Sequence, residues 1–303
     1  MRGQRASAAV PRLGATAVGM LEGLDRHRLL STAQLHALYT PGKSVRWTQH
    51  LLGRLRRSGL AEATRTPGGL GLWYLTPRGT AAIEPVAGDA GERHKAISPE
   101  QAAGPLQEHT LAVNDVGLAF VQAARERGDE CGPLAWRHEV AHSLGRPPGQ
   151  RRAELLIADA LLTYQLNGPG EEVSIHYRFV ELDRATMGVD RLAEQLARYA
   201  RLYHRTLPAT DPLDEPEQAW AASYPVFPAV LVVLAGLPPE RAMRRRTTVL
   251  ELLAEDDDLA TATDVSLSIC SLDDLVARGP FAPIFRSHRD PDRPVDWLGE
   301  AEA

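Results

Sequence analysis

Lysine is almost missing from this chain. Of its 34 Lys and Arg residues only Lys43 and Lys95 are lysine. Any site past residue 95 that needs a lysine ammonium is therefore excluded, and arginine, which stays protonated, is a poor base in its place. Cysteine is equally scarce. Cys131 and Cys270 lie far apart, which excludes a disulfide framework or a thiolate zinc site. No run reaches the roughly 18 apolar residues that span a bilayer. The longest, residues 226–237, is strand-sized and interrupted by Pro228. The first residues, MRGQRASAAVPRLG, are basic but have no apolar signal core. The expectation is a cytoplasmic protein with no membrane partner.

What is present suits two globular domains: 303 residues, 44% hydrophobic and 24% charged. The net charge of −5 conceals a division. Residues 1–86 hold 12 Lys and Arg against 4 Asp and Glu, a balance of +8, and the remainder holds 22 against 35, a balance of −13. A basic head on an acidic body points to a nucleic-acid-binding module joined to a unit with another task.

The head reads as a winged helix-turn-helix over residues 11–86. Leu13, Val18, Leu21, Leu24 and Leu29 repeat at helical spacing. Ser31 and Gln34 fit a capping box for the next helix. Ser44 is a candidate N-cap for SVRWTQHLLGRLRRSG, in which Leu51, Leu52 and Leu55 face inward and Gly59 ends the helix. Two β-prone runs around Pro67-Gly68-Gly69 then predict a hairpin wing. In this reading the third helix enters the major groove of double-stranded DNA. Lys43, Arg46, Gln49, His50, Arg54 and Arg57 then contact phosphates and base edges, and Arg65 reaches out from the wing. The alternatives are a protein-docking module and a merely solvated basic face.

Residues 87–105 lack periodicity and are read as a linker. From 106 to 285 the predicted order is α-β-β-β-α-β, an α/β domain with a mixed sheet. Residues 286–303 are polar and expected to be a loosely ordered tail. Asp159 sits in the apolar run LLIADALLTY, where an unpartnered carboxylate is costly. FVELDRAT carries Glu181 and Asp183. Gln195 and Tyr199, four apart, share one face of the following helix. His109 and Glu139 are further polar candidates with ordinary half-exposed positions as the simpler reading. A purely structural account also exists for the acidic pair: Asp183 caps the next helix and Arg184 pairs with a carboxylate.

These residues resemble the PD-(D/E)XK nuclease superfamily, with Asp159 on the second core strand and Glu181 on the third. Gln195-x-x-x-Tyr199 is similar to a motif of its RecB-like branch. The resemblance implies a metal-dependent DNA endonuclease with Asp159, Glu181 and Asp183 binding Mg²⁺ or Mn²⁺, and with Gln195 and Tyr199 beside them. Two positions depart from it: Ala158 stands at the motif's proline and Asp183 at its lysine. More narrowly, residues 15–205 resemble the replication-relaxation proteins of plasmids and mobile elements, on EHTLAVNDV, on Ile157 to Ala160 and, most specifically, on Glu-Leu-Asp-Arg-x-Thr at Glu181 to Thr186. Three functions follow as expectations. The first is a DNA-binding replication or regulatory factor whose nuclease-like body is a scaffold or homodimerisation unit. The second is an active nuclease. The third is a transcriptional regulator whose C-terminal domain senses a partner.

Overall fold

The computed structural model describes residues 13–83 apart from 67, residues 106–208 apart from 148, 150 and 171, and residues 216–301. The linker expected at 87–105 lies outside them. The chain divides into two compact units, Met1–Leu111 and Ala112–Ala303.

The first unit runs α1 (Ala15–His27), β1 (Leu30–Ser31), α2 (Thr32–Tyr39), α3 (Val45–Arg57), β2 (Ala61–Arg65), β3 (Gly71–Leu75) and α4 (Pro77–Ile83). Its antiparallel sheet has the order β1-β3-β2. This arrangement is compatible with a winged helix-turn-helix. Met20, Leu21, Leu24, Leu35, Leu52, Leu55 and Leu72 are buried, so the leucines of each helix's inner stripe make the core. Ser31 forms the expected capping box: its Oγ accepts from the Gln34 N–H at 3.1 Å, and its own N–H donates to Gln34 Oε1 at 3.0 Å. Ser31→Ala is expected to cost about 1 kcal/mol in urea unfolding; an unchanged midpoint would show that the box is redundant.

The second unit is built on seven strands in the order β10-β9-β8-β7-β6-β5-β4. Helix α5 (Leu106–Arg127) leads into β4 (Trp136–Gly145), β5 (Glu154–Asn167) and β6 (Val173–Asp183), an antiparallel meander. Helix α6 (Val189–His204) crosses to β7 (Ala229–Leu234), and α7 (Pro239–Ala254) with α8 (Asp257–Thr261) crosses to β8 (Leu267–Ser271). Strands β6, β7 and β8 are parallel neighbours, as such crossovers require. The core on one face joins Leu196 and Tyr199 of α6 and Val249 and Leu253 of α7 to Phe179, Val232 and Ile269 of the sheet. The expected α/β fold with a mixed sheet is what the chain adopts.

The tail differs from expectation. After α9 (Leu272–Arg278), β9 (Phe285–Ser287) pairs with β8, and β10 (Pro294–Val295) pairs with β9. Trp297 is 2% exposed. Its ring centroid lies 5.2 Å from that of Phe120 and 4.9 Å from that of Tyr164, and the Arg178 guanidinium sits 4.7 Å from it. The polar average of residues 286–303 hides two buried apolar residues, Val295 and Trp297. Burying them outweighs the cost of ordering the polar ones between them.

Candidate functional site

Two groups of side chains stand out, one in each unit. In the first, Ser44 caps α3, its Oγ accepting the Trp47 N–H at 3.3 Å. Leu52, Leu55 and Thr48 are buried beneath the helix. Helical geometry then turns Arg46, Gln49, His50 and Arg57 outward on one face, with Arg54 beside them, and all five are exposed. No acidic side chain among the described residues engages Arg46, Arg54 or Arg57. Arg56 is held by Glu62 at 2.7 Å. Lys43 is exposed in the turn before α3. Arg65 is exposed too, but its Nη1 bends back to donate to the Gly69 carbonyl at 3.2 Å. An open groove of about 1130 Å³ runs between α3 and the β2–β3 hairpin, lined by Gln49, Gly53 and Arg57 on one side and Thr64 and Arg65 on the other.

In the second unit the β5–β6 ladder runs regularly to Ala160↔Val180. Past that pair the half-buried Asp159 takes over the ladder's role, its Oδ2 accepting the Leu182 N–H at 2.7 Å. On β4, Glu139 is exposed and has a φ of +52°, and the paired register passes over it. His109 lies on α5. Glu181 is 3% exposed. Its Oε1 accepts from the Tyr199 hydroxyl at 2.5 Å and its Oε2 from Gln195 Nε2 at 3.1 Å. The spacing of Gln195 and Tyr199 therefore does bring both onto one carboxylate. Burial, with the nearby Asp159 carboxylate adding to it, pushes Glu181 up to about 8. Burial and the Glu181 charge also raise the Tyr199 phenol well above its ordinary value, so it remains a donor.

Asp183, 4% exposed, is engaged elsewhere. Arg245 of α7 donates Nε to its Oδ2, and Nη2 to its Oδ1 at 3.0 Å. The Ala185 N–H adds a bond to Oδ1 at 3.0 Å. Arg245 also donates to the Met187 carbonyl at 3.0 Å, so one guanidinium ties the strand end to the loop before α6. Asp183 does not cap α6: the N-cap position is Gly188, and the helix start has no side-chain cap. The structure thus gathers Asp159, Glu181, Gln195 and Tyr199 around one buried acid and commits Asp183 to an arginine. Among the described residues no group of three or more His, Cys, Asp or Glu side chains is placed to hold a metal ion. Both Glu181 oxygens and both Asp183 oxygens accept hydrogen bonds. Asp183 is thereby turned to Arg245 and Glu181 to Gln195 and Tyr199, so the three carboxylates that the resemblance assigned to Mg²⁺ or Mn²⁺ have different partners in this structure.

The family model described as Replication-relaxation matches residues 21–211. The chain belongs to the replication-relaxation family. No curated protein matches it. A solved structure of a ZitR mutant from Lactococcus lactis is 18% identical over 28% of this chain, with a TM-score of 0.23. The match spans 57% of that ZitR chain, little more than half its length. In this replication-relaxation protein the family match contains α3, the β2–β3 hairpin, Asp159, Glu181, Gln195 and Tyr199, but Arg245 lies beyond it. Sequence reasoning missed Arg245. Its only signal was the run Arg244-Arg245-Arg246, in which nothing marks the middle residue as the one that pairs with Asp183. No helix among the described residues is long and apolar enough to cross a membrane.

Proposed function

We propose that this replication-relaxation protein binds double-stranded DNA through α3 and its wing, serving replication, relaxation or regulation of a plasmid or mobile element. The observation that carries the reading is the outward face of α3: exposed Arg46, Arg54 and Arg57 with no acidic partner among the described residues, beside an open groove. Unpaired arginines on an exposed helix suit phosphate contact and counterion release. The test is fluorescence anisotropy of labelled duplex DNA titrated with the full chain across a salt series. Binding whose logarithm falls linearly with that of salt supports the reading; no binding at low salt sinks it.

The α/β body supports a scaffold rather than a cutting role. In the nuclease layout the position of Asp183 carries a lysine, and here it carries an acid neutralised by Arg245. Supercoiled plasmid incubated with the protein and Mn²⁺ or Mg²⁺ is therefore expected to show no nicking above background. Metal-dependent nicking that disappears in Asp159→Ala would instead establish the endonuclease reading.

A further inference from the structure

The other helical glycines among the described residues are there because something lies against them. A Cβ on Gly23 would collide with the Tyr39 hydroxyl, and one on Gly79 with the Leu60 carbonyl. At Gly117 it would come within 2.5 Å of the Trp136 ring, and at Gly19 within 3.3 Å of the Tyr39 ring. Gly53 is different. Among the described residues a Cβ there would meet only Arg57 Nη1, at 3.4 Å, the movable end of an exposed side chain. Gly53 is also in the middle of a 13-residue helix, where glycine is the least favoured residue after proline. Its φ is not in the left-handed region, so no turn requires it.

The fold thus gains nothing from glycine at 53 and is weakened by it. Gly53 stands at the centre of the outward face of α3, one turn from Gln49 and one turn from Arg57, and it lines the groove toward the wing. We infer that Gly53 is a contact residue, the point where the sugar-phosphate backbone of a DNA strand comes against the helix, with Arg57 and Arg65 on either side of it. Absence of a side chain lets the strand enter the groove to the depth of the helix backbone. This inference rests on the DNA-binding reading and adds to it where the strand runs.

The experiment compares the full-length protein with Gly53→Ala by thermal melting and by anisotropy on a mixed-sequence DNA duplex two to three turns long. Gly53→Ala is expected to melt a few degrees higher, because alanine is the better helix former. It is expected to bind the duplex about tenfold more weakly, since a methyl overfills the contact. A gain in stability together with a loss of affinity is the signature, because a glycine that packing requires lowers stability when replaced, and one without a role gains stability with affinity unchanged. A Gly53→Ala protein that binds as well as the parent overturns the inference and leaves the DNA-binding reading standing. One that melts lower shows that the fold requires the glycine, which also overturns it. A parent protein that binds no duplex overturns both.

Discussion

Replacing Arg46, Arg54 and Arg57 together by glutamate is expected to lower the affinity for duplex DNA on the order of 100-fold or more at about 0.15 M salt. The three arginines are exposed and have no acidic partner among the described residues, so their charge is fully available to phosphate. Every arginine that no longer neutralises a phosphate takes about one unit off the slope of log affinity against log salt, so the slope should shrink by about 2–3. The salt slope separates weakened phosphate binding from unfolding, which melting of the variant checks independently. These positions are exposed, and the leucines beneath them are untouched. Arg56→Glu serves as the internal comparison. Its guanidinium is already engaged by Glu62, so its reversal should cost less than reversal of Arg57 on the same turn. Equal binding by the triple variant and the parent would move the nucleic-acid surface off α3.

The second large effect is a dependence of stability on pH set by Glu181. Burial raises its folded-state value from 4.5 to about 8. A carboxyl raised on folding holds its proton in the native state after the unfolded chain has lost it. Its contribution to stability is therefore fully present below about pH 4.5, declines as pH rises, and is lost by about pH 8. The gap corresponds to on the order of 5 kcal/mol. Glu181→Gln is expected to remove that decline, since its side chain does not titrate. The amide oxygen can still accept from the Tyr199 hydroxyl, and the Gln195 amide can turn to present its oxygen to the new N–H. Urea midpoints measured from pH 5 to pH 9 should fall more steeply for the parent than for the variant and leave the variant the more stable at the alkaline end. Parallel profiles would show that Glu181 is not held protonated in the fold. Carboxylates lowered on folding, such as Asp129, act in the opposite direction at acid pH and are common to both proteins, so the difference reports Glu181 together with the Asp159 carboxylate beside it.

Much of this architecture was legible because its signals are short-range. The capping serines Ser31 and Ser44 and the inward Leu21, Leu24, Leu52 and Leu55 follow from windows of a few residues, although Leu51, read the same way, is only half-buried. The pairing of Gln195 and Tyr199 on Glu181 was also within reach, because a four-residue helical spacing fixes a common face. The tail was misjudged because averaging over its charged and proline residues masks Val295 and Trp297. The ring partners of Trp297, Phe120 and Tyr164, are far away in sequence.

The sequence by itself determined the split into a basic head and an acidic body, the mixed α/β order of the second unit, and the elements that carry each acid. Those properties depend on local periodicity and on charge counted along the chain. Only the tertiary structure decided what each charge does. It closed Asp183 with Arg245 from 62 residues away, neutralised Arg56 with Glu62, and left Arg46, Arg54 and Arg57 without an acidic partner among the described residues. It also separated Gly53 from the glycines that packing demands. The physical reason is that an ion pair or a close approach depends on distances across the fold. The crossover that lays α7 over the parallel strands sets such distances, and no stretch of sequence contains them.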